Sequence, residues 1–257
     1  MRLIPRVRRR DRSRSMTVIQ HLEELRTRVF IALIAVGLAA IGGWLLFPPV
    51  FKFLLHSYKQ ACEALPRANR PPIPCGKVVG ASVLEPFLVR FKVSLFTGFA
   101  IALPVVLFQL WRFVTPGLTR SERRLAIPFV LSSLVLFALG GFFAFLTLPK
   151  GLHFLLGFAG SQIVVLPSAT KYISFVLLLV LAFGISFEFP LVLIFLSWVR
   201  VVSSQRLRGW RRMAYLLITV FAAVITPSQD PYTQLAMMIP MIVFYEVAIF
   251  VARLMKR

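Results

Sequence analysis

A glutamate interrupts a long apolar stretch of this chain. Residues 183–190 read FGISFEFP, and the sequence on both sides of Glu188 is almost purely apolar. A charged side chain near the centre of a bilayer costs about 2.5 to 3.5 kcal/mol on insertion scales, so an acid at that depth usually has a function. Pro190 removes a backbone donor and favours a kink that opens onto a polar cavity. Glu188 is therefore a candidate functional residue; the alternative is a protonated acid that is hydrogen-bonded between helices for packing.

Two more acids, Glu24 and Glu122, lie in segments rich in Lys and Arg. Their carboxylates suit the binding of a positively charged peptide, because guanidinium groups favour bidentate carboxylate partners. Each residue also has a simpler interpretation. Glu24 precedes Arg28 by four residues, which favours an ion pair on a solvated helix face. Glu122 follows a serine, and it is alternatively a first-turn residue that the helix dipole favours.

Both cysteines of the chain fall in one proline-rich segment. Cys62 and Cys75 begin and nearly end the stretch CEALPRANRPPIPCG, and there is no third cysteine elsewhere. Two thiols at this spacing on an oxidising side of a membrane indicate a disulfide that closes a loop. Two free thiols are the alternative.

The remaining candidates for catalysis or metal binding are weak. His21 is predicted on the opposite side of the membrane from His56 and His153, so no pair can share a metal or a triad across the membrane. The segment GFAGSQ is not a nucleophile elbow. Glu188 and Glu246 are the only acids within the predicted spans, which leaves a proteolytic carboxylate pair as a weak hypothesis. We predict no catalytic residue, no metal and no cofactor.

The composition is that of a polytopic membrane protein. The 257 residues are 58% hydrophobic and 15% charged, with a mean hydropathy of +0.82, which is too apolar for a soluble domain of this size. The formal net charge is +21, and in a membrane protein this excess indicates orientation signals and contact with anionic lipids rather than nucleic acid. The basic N-terminal segment is expected to be retained, because the apolar stretch after it is too long for a cleaved signal peptide.

Six apolar stretches are candidates for helices that cross the bilayer. They cover residues 29–47, 93–111, 125–148, 172–199, 213–225 and 235–251. The last two give only about 20 and 25 Å of helix, so we expect them to be short and to lie where the bilayer is thin. The expected fold is all-α, with a basic tail over residues 1–16, a six-helix membrane domain over 17–253 and a C-terminus at 254–257. Prolines such as Pro149 are expected to end helices.

Lys and Arg residues outside these spans are unevenly distributed. Residues 1–28, 112–124, 200–212 and 253–257 carry 21 of them, and the intervening loops carry nine. Cytoplasmic loops of membrane proteins are enriched in Lys and Arg, so the pattern predicts that both termini are cytoplasmic. Only four acids lie on that predicted side, among them Glu24 and Glu122.

Four segments, taken in order, carry a family resemblance. They are HLEELR at 21–26, ALPVVLFQLWRFVTPGLTRSERR at 102–124, AFGISFEFP at 182–190, and ITPSQDPYTQLAMMIP at 225–240 followed by YE at 245–246. Over about residues 16 to 253 the chain resembles the TatC family, the multispanning receptor component of the twin-arginine protein translocase. The combination in this order and topology is specific, whereas any one segment alone is not.

The resemblance implies a receptor without enzymatic activity in the cytoplasmic membrane of a prokaryote. Its six helices are cupped around a concave face, with both termini in the cytoplasm and the last two helices short. Such a receptor binds the twin-arginine signal peptides of folded cargo and works in a larger oligomeric complex with single-span TatA- or TatB-like proteins. Export is driven by the proton gradient.

The resemblance also assigns roles to particular residues. Cytoplasmic acids recognise the arginine pair of the signal peptide in this family, and they fall here on Glu24 and Glu122, with Leu22 and Arg26 as neighbours. A second set of polar groups lies within the membrane and near the ends of the last two helices, where partner helices bind: Glu188, Asp230 and Gln234. The segment TPSQDP is one residue longer than the usual family spacing, which affects the placement of Asp230 and Gln234.

Two other functions remain open from the residues themselves. A proton-coupled exporter of small molecules would use Glu188 as its proton carrier. An intramembrane protease is a more distant alternative. Co-purification with a twin-arginine signal peptide distinguishes the receptor from both.

Overall fold

The computed structural model of the protein describes residues 18–67, 70–114, 126–158, 166–228 and 230–255. Within these ranges the chain forms eight α-helices and no strand. They are α1 (Val18–Leu45), α2 (Phe47–Ala64), α3 (Glu85–Val114), α4 (Ala126–Gly157), α5 (Ala169–Trp198), α6 (Ser204–Gly209), α7 (Arg211–Ile225) and α8 (Pro231–Leu254).

Five of these helices are long and apolar enough to cross a membrane, namely α1, α3, α4, α5 and α8. Helix α7 has 15 residues, about 22 Å of rise. The expectation that the last helix is also short is wrong, because α8 has 24 residues, or about 36 Å. Asp230 caps α8 before the apolar stretch begins, and the helix continues past that stretch through Arg253.

One predicted helix end is also wrong. Pro149 lies inside α4, which continues to Gly157, and membrane helices tolerate such a proline where neighbouring groups satisfy the freed carbonyl. Pro48 and Pro49 lie just after α1, which ends at Leu45. They occupy the first turn of α2, where proline fits because the first backbone N–H groups of a helix have no helical partner.

The long helices pack through close backbone contacts at glycines. Helix α1 runs antiparallel to α3, and a Cβ on Gly98 would lie 2.5 Å from the Ala40 nitrogen. Helix α4 runs antiparallel to α5, and a Cβ on Gly140 would lie 2.6 Å from the Phe183 oxygen. Small residues at helix interfaces allow this close approach in membrane proteins. These two helix pairs fix the positions of the polar groups described below.

We name the two ends of the helix bundle by their residues. The basic end is where α1 begins and where α3, α5 and α8 end; the disulfide end is the opposite one, where Cys62 and Cys75 are joined. The Cα atoms of these cysteines are 5.6 Å apart, the usual separation for a disulfide. The bond ties the last turn of α2 to the segment before α3.

Backbone hydrogen bonds join the two connections at the disulfide end. Val79 N donates to the Pro167 carbonyl at 3.0 Å, and Ala169 N donates to the Val79 carbonyl at 2.9 Å. This bridge links the segment that leads into α3 with the segment that leads into α5. Helix α5 lies at the centre of the core, where Ile173, Val176 and Phe183 are fully buried.

Candidate functional site

Glu24 lies near the start of α1, at the basic end, and its side chain is directed towards α3. Its Oε1 accepts a hydrogen bond from Arg28 Nη2 at 3.0 Å. Arg28 Nη1 in turn donates to Gln109 Oε1 of α3 at 3.4 Å. The two charged side chains are only 16% and 17% exposed. The predicted ion pair is therefore present. It packs against α3 rather than lying on a solvated face, because this side of α1 is covered by α3.

This pair leaves hydrogen-bonding capacity unused. Glu24 Oε2 and Arg28 Nε are buried without a hydrogen-bond partner in the part of the chain that the structure describes. One helical turn before Glu24, the His21 ring stacks on Phe113 of α3 with 4.3 Å between centroids. A carboxylate oxygen without a donor is the group that a guanidinium from a bound peptide can engage.

The other predicted peptide-binding residues are not gathered around this carboxylate. Leu22 and Arg26 each lie two residues from Glu24, or about 200° around the helix. Both are exposed, Leu22 to 58%. Glu122 lies outside the described residues. At the basic end, the structure thus brings Glu24 together with Arg28 and Gln109, and it places Leu22 and Arg26 on the opposite face of α1.

Glu188 is bound to a serine of the neighbouring helix. Ser133 of α4 donates its hydroxyl hydrogen to Glu188 Oε2 at 2.7 Å, and Trp111 Nε1 of α3 donates to Ser133 Oγ at 3.4 Å. Glu188 Oε1 is buried and has no partner among the described residues. Sequence analysis missed Ser133 and Trp111. A serine in an apolar stretch is a weak signal, and its pairing with Glu188 depends on how α4 packs on α5.

Glu188 also lines a groove between α5, α7 and α8. The groove has a volume of about 680 Å³. Its lining is apolar apart from Ser186 and Glu188, with Val192, Leu217 and Phe221 among the apolar residues. The Ser186 hydroxyl already donates to the Ala182 carbonyl at 2.7 Å. Glu188 is therefore the polar group of the groove that has an unused oxygen.

Asp230 and Gln234 do not form one site with Glu188. Asp230 is 3% exposed and caps α8, accepting from Thr233 N at 2.8 Å and from the Thr233 hydroxyl. Gln234 is half-buried near the start of the same helix. The Phe187 ring next to Glu188 packs on Phe244 at 4.8 Å, ten residues after Gln234 and so about 15 Å further along α8.

Glu246, the second acid in the predicted spans, joins α7 to α8. Its carboxylate forms an ion pair with Arg211 and accepts from the Tyr215 hydroxyl at 2.6 Å. In the described ranges no three His, Cys, Asp or Glu side chains are close enough to hold a metal ion.

Comparison with known proteins identifies the family to which the chain belongs. A family model described as Sec-independent protein translocase protein (TatC) matches residues 20–240. The chain belongs to the TatC family. The predicted resemblance is confirmed, and with it the assignment to protein transport across a membrane.

Individual TatC proteins are similar over most of the chain. The Sec-independent protein translocase protein TatC of Frankia casuarinae is 43% identical over 248 residues, covering 94% of this chain and 67% of the relative. That of Aquifex aeolicus is 39% identical, covering 94% of this chain and 97% of the relative.

Solved TatC structures have the same fold. A crystal structure of the twin-arginine translocase receptor TatC matches with a TM-score of 0.74 and 38% identity, covering 92% of this chain and all of that chain. A second, in DDM, matches with a TM-score of 0.71 and 37% identity, covering 90% of this chain and 99% of that one. The all-helical architecture described above is thus the TatC architecture.

Proposed function

We propose that this TatC protein is the receptor subunit of a twin-arginine translocase and binds signal peptides of folded proteins at its basic end. The observation that carries the proposal is the Glu24 carboxylate, half-buried between α1 and α3 with one oxygen that has no donor among the described residues. The surrounding sequence is strongly basic. An arginine of the signal peptide supplies the missing donor, and Glu122, which follows α3 in the sequence, binds the second arginine.

The basic end is the cytoplasmic end in this proposal. The distribution of Lys and Arg, 21 against nine, supports it. Both termini are then cytoplasmic, and the disulfide lies on the oxidising side of a bacterial cytoplasmic membrane. Helix α7 is a sixth, short span that pairs with α8 through Glu246, and the six spans form a cup. The fold similarity to the solved receptor supports this arrangement.

The groove next to Glu188 receives a partner helix in this proposal. Its apolar lining suits the single span of a TatA- or TatB-like protein or the apolar part of an inserted signal peptide. Glu188 Oε1 then receives a hydrogen bond from a polar group of that helix. The complex uses the proton gradient for export, and it does no covalent chemistry.

Site-directed photocrosslinking with a twin-arginine signal peptide tests the receptor role. In membranes containing the receptor, Glu24→Gln should weaken crosslinking about tenfold or more, because a charge-assisted hydrogen bond at a buried site is lost. The matched control is Glu23→Gln, which removes the same charge from the neighbouring, exposed residue and should leave crosslinking unchanged.

Two results would contradict the proposal. Equal crosslinking by the wild type, Glu24→Gln and Glu23→Gln would remove Glu24 from the binding site. No crosslinking to the wild type, together with proton-driven efflux of a small molecule that depends on Glu188, would identify a proton-coupled exporter instead.

A further inference from the structure

A second groove lies between α1 and α3 near the disulfide end. It has a volume of about 320 Å³, and its apolar lining includes Gly37, Ile41, Leu45 and Leu95. Ile41 and Leu45 are 64% and 76% exposed, so the groove opens on the outer side of the helix pair. In a membrane, this side of the two helices faces lipid acyl chains.

One buried polar group faces this groove. Ser94 of α3 lines it and is 3% exposed, yet its hydroxyl has no hydrogen-bond partner among the described residues. A serine or threonine in a membrane helix usually donates to the carbonyl one turn earlier. Thr97 does so here, to the Val93 carbonyl at 2.8 Å. Ser94 Oγ is therefore a buried donor without a partner among the described residues, at the wall of the groove.

A cation lies one turn nearer the disulfide end, at the edge of the groove. The guanidinium carbon of Arg90 is 4.4 Å from the Trp44 ring centroid and 5.4 Å from that of Phe47. No carboxylate in the described ranges forms an ion pair with Arg90. The nearest acid on the same helix, Glu85, accepts hydrogen bonds from the connections at the disulfide end. Arg90 Nη2 donates to the Trp44 carbonyl at 3.5 Å, and within the described ranges no acid neutralises its charge.

We propose that this groove binds an anionic phospholipid, with the phosphate on Arg90, an ester carbonyl on Ser94 and one acyl chain against Ile41 and Leu95. Arg90 and Ser94 are four residues apart, or about 6 Å along the helix, so both can contact one headgroup region. Tryptophan and arginine are typical residues of the membrane–water interface. An acidic headgroup is favoured over a zwitterionic one because it offers net charge to the unpaired cation.

The lipid site is independent of peptide binding. It uses only α1 and α3 at the disulfide end, whereas the proposed peptide site is at the basic end. The proposed orientation decides only the leaflet, which is then the outer one. Failure of the lipid site therefore leaves the receptor proposal intact, and the lipid experiment is done without peptide.

Native mass spectrometry of the purified full-length protein tests the proposal. The protein is incubated with an equimolar mixture of phosphatidylglycerol and phosphatidylcholine that have the same acyl chains. We expect one tightly retained phosphatidylglycerol per protein, and about tenfold less retention in Arg90→Gln, because a charge-assisted contact is lost. Ser94→Ala should reduce retention by a smaller factor.

The matched charge control is Lys92→Gln. Lys92 is two residues from Arg90, and its Nζ donates to Ser174 of α5 at 2.7 Å, so it faces away from the groove. This variant should retain the lipid as the wild type does. Equal retention of the two lipids by the wild type, or equal loss in Lys92→Gln and Arg90→Gln, would show a general charge effect and overturn the proposal.

Filling the groove gives a second test that leaves all charges in place. A Cβ on Gly37 or Gly42 meets no atom within 4 Å, so at both positions the first carbon of a larger side chain is accommodated without a contact to α3. Gly37 lines the groove and Gly42 does not. Gly37→Leu should lose the retained lipid and Gly42→Leu should keep it. Full retention in Gly37→Leu would exclude this groove as the site.

Discussion

Two acids at the disulfide end, Glu85 and Asp230, differ from two in the basic half, Glu24 and Glu188, in how completely the described residues satisfy their carboxylate oxygens. At the disulfide end, Glu85 accepts from Ser168 Oγ and Thr170 N, both at 2.6 Å, and from Ala81 N. Asp230 is likewise bonded through both oxygens to Thr233. In the basic half, Glu24 and Glu188 each keep one buried oxygen without a partner among the described residues.

In the proposed function, this difference separates structural acids from acids that serve a partner. A buried polar atom without a partner costs about 1 to 3 kcal/mol, so a chain that needed only stability would satisfy it. Glu85 does this and thereby fixes the connections before α3 and α5. Glu24 and Glu188 each retain this cost among the described residues, and in the proposed function a donor from another molecule removes it. Three predictions test this distinction.

The largest effect is expected at Glu188. Glu188→Ala should reduce export of a twin-arginine substrate at least tenfold. The variant lacks the carboxyl group that accepts hydrogen bonds from Ser133 and, in the proposal, from the bound helix. Glu188→Gln keeps the shape and hydrogen bonding and should retain much of the activity. Export is measured in cells in which immunoblots show equal amounts of each variant.

Two outcomes at Glu188 would change the interpretation. Wild-type export by Glu188→Ala would show that the carboxyl group only fills space. If export by Glu188→Gln is as low as export by Glu188→Ala, proton exchange at this residue matters, which favours the proton-coupled mechanism.

A smaller effect, of a different kind, is expected at Glu85. Glu85→Ala removes an acceptor from three donors and should lower the thermal unfolding midpoint of the purified protein by several degrees. Signal-peptide crosslinking at a temperature where the variant is folded should not change. The control is Glu63→Gln, an exposed acid paired with Lys59 at 3.8 Å, which should leave the midpoint unchanged. Loss of peptide binding by folded Glu85→Ala would show that Glu85 also serves peptide binding and is not only a structural acid.

The smallest effect on transport is expected from the disulfide. Replacing both Cys62 and Cys75 by serine should lower stability by at most about 3 kcal/mol, since a short loop is opened, and export should continue at moderate temperature. Intact-mass analysis of protein purified without reductant should show two hydrogens fewer than the free-thiol mass. Free thiols in that sample would contradict the bond, and loss of export at wild-type abundance would contradict its structural role.

Much of the fold could be predicted because hydropathy is a local property. The five helices that are long enough to cross a membrane each cover all or nearly all of one of the predicted apolar stretches. The helix bounds were less predictable. Pro149 continues a helix that the sequence pattern ends, and α2 forms in a segment expected to be a loop. Packing and capping decide those cases, and both depend on residues far away in the sequence.

The candidate site was predicted only in part. Glu24 and Glu188 stand out because a charge in an apolar or basic environment is visible in the sequence. Their surroundings were not predictable. The apolar stripe of α1 that includes Leu22 and Leu25 is exposed, while the polar face with Glu24 and Arg28 packs on α3. In a soluble protein the apolar face of an amphipathic helix is expected to be buried in the core. In a membrane protein that face can contact lipid, so here the polar face is the one that packs on a neighbouring helix.

By itself, the sequence determined the membrane class, the positions of most spans, the family and the identity of the acids. Each of these depends on composition or on short motifs. Only the tertiary structure decided which donors each carboxylate meets. Gln109 reaches Arg28 across 81 residues and Ser133 reaches Glu188 across 55, because antiparallel packing at glycine contacts sets the register of α1 on α3 and of α4 on α5. Hydropathy carries no information on that register, so the carboxylate oxygens that lack a donor among the described residues become visible only in the folded molecule.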